Sequence, residues 1–146
     1  MTAGLYIGFS GERRPSHSAV EKLFGRTFDF ESPNISLSHS GLYVVVLEAP
    51  APCGVDLEVH RKLRRSVKEK MPDGNTGDFF TLWTRKEAGA KLLMQSGRQC
   101  PLSEMLSLPV ANGGEIVFLT IVKADFTVSA ASFEPFDLLF FHPAAQ

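Results

Sequence analysis

Asp56 and Glu58 stand two apart in the run Gly54-Val55-Asp56-Leu57-Glu58, and Glu87 and Lys91 stand four apart in Trp83-Thr84-Arg85-Lys86-Glu87-Ala88-Gly89-Ala90-Lys91. On a strand, side chains alternate with period two, so both carboxylates of an Asp-x-Glu step leave the same face. On a helix, positions four apart share a face, one turn from each other. Three carboxylates and a lysine can therefore converge on a divalent cation and a phosphorylated ligand. Hard cations such as magnesium favour oxygen donors and keep waters and ligand phosphates as further partners. The two segments lie 31 residues apart (87 − 56), so this chemistry depends on a strand and a helix meeting in space.

The elements that must bring them together can be read from periodicity and turn residues. Residues 5–9 form a first apolar strand ending at Ser10-Gly11. Residues 16–23 have helical spacing in Ala19, Val20 and Leu23, with Ser16 or Ser18 as cap and Gly25 as stop. Residues 35–40 and 42–47 read as strands flanking Gly41. The proline-rich step at 48–52 then leads into a strand at 54–59, which is expected to pair with 42–47 as a hairpin. Residues 78–94 are the strongest helix, with Phe79, Phe80, Leu82, Trp83, Ala90, Leu93 and Met94 as its apolar face. Gly89 inside it implies close packing or close ligand approach, and Gly97 stops it. Segments 116–123 and 126–132 alternate as a closing hairpin, and 142–146 read as a frayed tail. Strands and helices mix without a regular βαβ rhythm, which makes the class α+β.

A third cluster precedes the acidic pair. Ser36-Leu37-Ser38-His39-Ser40-Gly41 puts hydroxyls and an imidazole beside a glycine, a grouping suited to phosphate oxygens. The alternative is a turn whose polar groups satisfy one another.

Together these segments resemble one family. Ser-Leu-Ser-His-Ser-Gly, Gly-Val-Asp-Leu-Glu and Leu-Trp-Thr-Arg-Lys-Glu-Ala-Gly-Ala-Lys, in that order, are similar to the motifs of the 4′-phosphopantetheinyl transferase superfamily in its Sfp-type branch. The likeness runs from about residue 25 to 132, with Leu102-Ser103-Glu104-Met105 and Phe126-Thr127-Val128-Ser129 resembling the weaker C-terminal pattern. It implies a phosphopantetheinyl transferase-like fold, an antiparallel sheet packed with helices, here with a shortened N-terminal lobe. The whole of 1–146 would form one domain, divisible into an N-lobe 1–50, a C-lobe 51–141 and the tail.

The implied activity is magnesium-dependent transfer of phosphopantetheine from coenzyme A to a serine of an apo acyl or peptidyl carrier protein. By resemblance, Asp56, Glu58 and Glu87 hold magnesium against the pyrophosphate, and Glu87 is also the candidate base. Lys91 stabilises the departing charge, Ser38 and His39 take the 3′-phosphate, and Lys86 contacts coenzyme A. Arg26, after Gly25, matches a basic coenzyme A contact loosely, since Thr27 stands where the family has proline. Two departures bear on activity: the chain is short for the branch, and the region between Glu58 and Phe79 lacks its Phe-x-x-x-Glu helix. A degenerate member that binds coenzyme A or a carrier without turnover is the alternative.

Bulk properties are compatible with either. A 146-residue chain with 44% hydrophobic and 21% charged residues can bury a core and is not of disordered composition. Net charge is −1, so no bulk electrostatic attraction to nucleic acid or membrane is expected. The basic run at 61–70, with six Lys or Arg in ten residues, is a solvated face or a steering surface for an acidic carrier. Cys53 and Cys100 have no metal spacing and fit a reducing compartment. With no apolar leader or long apolar run recognisable, a cytoplasmic location is expected.

Overall fold

Alternating burial builds the first strand. In a computed structural model that describes residues 1–69 and 78–143, β1 (Thr2–Phe9) turns Ala3 and Leu5 to one side and Tyr6 to the other. Helix α1 (His17–Phe24) starts where the Ser16 hydroxyl accepts from the Ala19 amide, and it ends at Gly25 with φ 69°. Strands β2 (Ile35–Ser40) and β3 (Tyr43–Glu48) form an antiparallel hairpin that turns at Gly41, φ 56°, a backbone conformation that glycine adopts without steric cost.

Strand β4 (Cys53–Val59) and the short helix α2 (Arg65–Glu69) follow. The long helix α3 (Phe79–Gln95) is capped by Asp78, whose carboxylate accepts from the Phe80 amide. Helix α4 (Leu102–Leu106) and strands β5 (Val117–Val122), β6 (Phe126–Ser132) and β7 (Asp137–Phe141) complete the described chain.

The strands sort into two sheets, ordered β2-β3-β1-β7 and β4-β6-β5. All pairings are antiparallel except β1 with β7, so the molecule is α+β with one mixed and one antiparallel sheet. Leu5, Val45 and Leu47 of the first sheet meet Val55, Leu57, Val128 and Ala130 of the second in a shared core. On the outer face of the first sheet, Tyr6, Val44 and Val46 pack on Val20 and Phe24 of α1. On the outer face of the second, Phe118 and Ala131 pack on Ala88, Leu92 and Leu93 of α3. The layers thus run helix, sheet, sheet, helix. Strand β3 is apolar from Val44 to Leu47 because both of its faces are covered there.

The expected hairpin between 42–47 and 54–59 does not form. Both edges of β3 are taken, by β1 and β2, while β4 pairs with β6 in the other sheet. The intervening Ala49-Pro50-Ala51-Pro52 carries the chain across; two residues without amide hydrogens suit a crossing between sheets. Strand β7 was not expected at all. Its aromatic run Asp137-Leu138-Leu139-Phe140-Phe141 does not alternate, and Leu139 and Phe140 are more than half exposed. It also returns the chain to the sheet of β1, so a division at residue 50 separates β1–β3 from β4–β6 but not from the last strand. The turn expected at 71–75 and the end of the tail, 144–146, lie outside the described residues. Among the described residues, no helix is long and apolar enough to cross a membrane.

Candidate functional site

A single missing side chain sets the distance between the two acidic motifs. A Cβ at Gly54 would collide with the Ala88 carbonyl and the Leu92 amide, so α3 rests directly on the backbone of β4. Hydroxyls extend this contact: Thr84 Oγ1 lies 2.7 Å from Ser129 Oγ, which lies 2.8 Å from Thr120 Oγ1. Because Val55 and Leu57 point into the shared core, the alternate residues Gly54, Asp56 and Glu58 face the helix. Asp56 and Glu58 therefore come off β4 beneath the turn of α3 that carries Glu87 and Lys91.

A seam between the sheets adjoins them. The free edge of β4 offers its amides to β2 side chains: Val55 N–H donates to Ser36 Oγ at 3.0 Å, Leu57 N–H to Ser38 Oγ at 3.0 Å and Val59 N–H to Ser40 Oγ at 2.9 Å. Lys91 closes the same seam from the helix side. Its Nζ donates to the Val55 carbonyl at 2.9 Å and the Leu37 carbonyl at 3.3 Å, and lies 3.7 Å from Asp56 Oδ1. Gln95, one turn on, donates to the Cys53 carbonyl.

Asp56 is the electrostatic centre. It is only 5% exposed; Ser38 Oγ donates to its Oδ1 at 3.2 Å, and its Oδ2 is buried with no hydrogen-bond partner among the described residues. Burial pushes its carboxyl up to about 8, against a smaller opposing pull from the Lys91 ammonium, with Glu58 and Glu87 adding to the rise. Burial also raises Glu87, again opposed by Lys91 and reinforced by Glu58. Three carboxylates thus lie within each other's fields, and one buried oxygen calls for a proton or a cation.

In donor chemistry this set fits a hard divalent ion. The carboxylates are not drawn into a closed cluster, however: among the described residues, no group of three or more His, Cys, Asp or Glu side chains is arranged to hold a metal ion. Glu58 accepts instead from Arg61 at 3.0 Å. An ion held here would rely on Asp56 Oδ2 first and draw Glu58 and Glu87 toward it.

The remaining expected site residues are dispersed. Ser38 is buried on the β4 side of β2, whereas His39 is exposed on the opposite face, so the two cannot grip one phosphate side by side. Lys86 is 1% exposed and donates to the carbonyls of Leu106 at 2.8 Å and Leu108 at 3.0 Å, anchoring the segment after α4 rather than offering its ammonium to solvent. Arg26 makes a two-pronged bond to Glu48, both at 2.8 Å, donates to Tyr6 Oη at 2.7 Å and lies over the Phe28 ring. In this structure it ties the loop after α1 to β1 and β3. Two arginines of the basic run are also engaged, Arg61 by Glu58 and Arg65 by Glu69.

Gly54 and Gln95 matter here without a role assigned from the sequence, and Ser36 and Ser40 entered only as members of the hydroxyl cluster around Ser38. Gly54 was read only as the opening of the motif, although a glycine beside an Asp-x-Glu step on a buried strand signals close backbone approach. Ser36 and Ser40 share the period-two spacing of Ser38 and so its face. Gln95 lies one turn after Lys91 on the same side of α3. A groove of about 330 Å³ between β2 and α3 is lined by Phe30, Ile35, Leu37, Lys91, Met94 and Gln95. Lys91 forms part of its wall. Comparison with protein-family models and with curated proteins returned no match.

Proposed function

We propose that this chain is a magnesium-dependent phosphopantetheinyl transferase, with the fold of that superfamily, acting on coenzyme A and the serine of an apo carrier protein. The observation that carries the reading is the buried, unpartnered Oδ2 of Asp56 within the fields of Glu58, Glu87 and Lys91, on the strand and helix that bear the two motifs. Asp56, with Glu58 and Glu87, would hold the magnesium ion. When bound, the ion supplies charge neutralisation and orientation for a pyrophosphate, the main requirements of phosphoryl transfer.

The residues of the chain supply the rest. Glu87 is the candidate base for the hydroxyl proton of the carrier serine, directly or through water. The serine oxygen forms the new bond to the pantetheine-side phosphorus of coenzyme A, and the bond to the bridging oxygen breaks to release 3′,5′-ADP. Lys91 turns from the Leu37 and Val55 carbonyls toward the departing phosphate, compensating its charge. His39, exposed at the end of β2, remains available to the 3′-phosphate, while the occupied side chains of Lys86 and Arg26 do not enter this scheme.

A non-catalytic reading, in which the chain binds coenzyme A or a carrier without turnover, is favoured by the open arrangement of the three carboxylates. One assay separates the two. The protein is incubated with magnesium, coenzyme A and a panel of apo carriers from fatty acid, polyketide and peptide synthesis, and the carriers are weighed by mass spectrometry. Gain of one phosphopantetheine on any of them supports the transferase. No gain on any carrier, with coenzyme A binding retained in calorimetry, leaves the non-catalytic reading.

A further inference from the structure

The serines of β2 contain an internal control. Ser36, Ser38 and Ser40 do the same backbone work, each accepting one amide of β4. Only Ser38 makes a second bond, donating its hydroxyl proton to Asp56 Oδ1 at 3.2 Å. A serine hydroxyl has one proton to give, and this one is given to a carboxylate. The side chain is 6% exposed and faces the seam, away from the exposed face that carries His39. Asp56 Oδ1 is therefore held from two sides, by Ser38 and by the Lys91 ammonium at 3.7 Å, and Oδ2 is the oxygen left over.

We propose that Ser38 is a positioning residue for Asp56: it fixes Oδ1 so that Oδ2 faces an incoming cation, and it does not itself contact a ligand phosphate. The proposal rests on the reading of Asp56 as a cation ligand made above. Hydrogen-bond partners that orient a metal-binding carboxylate matter nearly as much as the ligand, and their removal costs roughly 10–100-fold in metal affinity.

The test compares Ser38→Ala with Ser36→Ala, since both remove one acceptor from the seam and only the first releases Asp56. Mn²⁺ binding by the full chain is measured by water-proton relaxation. Affinities for magnesium-loaded coenzyme A and for its 3′-dephospho analogue are measured by calorimetry, with melting temperatures recorded alongside. The expected result is a loss of roughly tenfold or more in Mn²⁺ affinity for Ser38→Ala, an equal loss on both nucleotides, and no loss on either for Ser36→Ala.

A loss on coenzyme A that vanishes with the dephospho analogue would place Ser38 on the 3′-phosphate and overturn the proposal. No Mn²⁺ binding by the unaltered protein, or equal binding by the two variants, overturns it as well. If neither nucleotide binds but the Mn²⁺ difference persists, the coenzyme A reading fails and the role of Ser38 stands. Should Ser38→Ala fail to fold, Ser38→Cys, of similar shape and weaker hydrogen bonding, takes its place.

Discussion

Of the carboxylates that sit beside a basic side chain, Glu48 and Asp56 are handled in opposite ways. Glu48, at the end of β3, receives both prongs of the Arg26 guanidinium at 2.8 Å, and Arg26 is held in turn by Tyr6 and the Phe28 ring. Asp56, on β4, is more deeply buried but meets Lys91 only at 3.7 Å, and one of its oxygens has no partner. The first pair is complete within the chain. The second is not. Lys91 directs its short bonds at backbone carbonyls across the seam, and the carboxylate beside it remains destabilised by burial. Among the described residues, Asp56 Oδ2 is the buried side-chain oxygen left without a partner, so the unmet electrostatic demand lies at the deeper of the two acids.

The largest effect that would sharpen this contrast is on activity. Asp56→Ala should reduce carrier modification by roughly a hundredfold or more, without lowering the melting temperature of the metal-free protein. Transfer that survived this change would remove Asp56 from the chemistry. Next comes the contact that creates the incomplete pair. Gly54→Ala forces a side chain into the backbone of α3, and urea denaturation should show a loss of about 3 kcal/mol. An unchanged midpoint would mean that helix and strand can part without cost, and the site geometry would then not be fixed by that approach.

The pH dependence of stability supplies a third measurement. The carboxyl of Asp56 is raised from 3.8 to about 8 on folding, so between those values the folded state binds more protons than the unfolded one. Its contribution to metal-free stability is therefore most favourable below pH 3.8 and declines as pH rises toward about 8. Melting curves of wild type and Asp56→Asn across this range should diverge, the variant gaining relative to wild type as pH rises. Parallel curves would show that Asp56 is not destabilised as its surroundings require. Smallest is the change at the complete pair. Arg26→Ala should cost about 1 kcal/mol, because the pair is partly solvated, and should leave coenzyme A affinity unchanged. A clear loss of that affinity would restore Arg26 as a ligand contact.

Local signals were the legible ones. The Ser16 cap and Gly25 stop of α1, the turn at Gly41 and the extent of α3 follow from short-range rules, and the structure has them within a residue or two. Pairing was harder. The segments 42–47 and 54–59 look like hairpin partners until β1 is known to occupy the other side of β3, and that is a long-range fact. The face of α3 differs in part from the expected one: Met94 is 54% exposed, while Thr84 and Lys86 are fully buried, because the Ser129 hydroxyl and the Leu106 and Leu108 carbonyls make polar burial tolerable there. For the candidate site, the residues of β4 and α3 were named from type and spacing. Their surroundings were not, since a serine that binds a phosphate and one that orients an aspartate look alike in a string of letters.

The seam of serines has one more consequence. The amides of Val55, Leu57 and Val59 end on side-chain hydroxyls of β2, whereas the alternate amides of Gly54, Asp56 and Glu58 turn toward β6. One strand thus carries two interleaved clocks for hydrogen exchange. The odd-numbered amides report when the sheets separate, and the even-numbered ones report when the second sheet itself unravels. Any ligand that grips both β2 and β4 would slow the first set and leave the second untouched, so its binding would register at every other residue of a single strand.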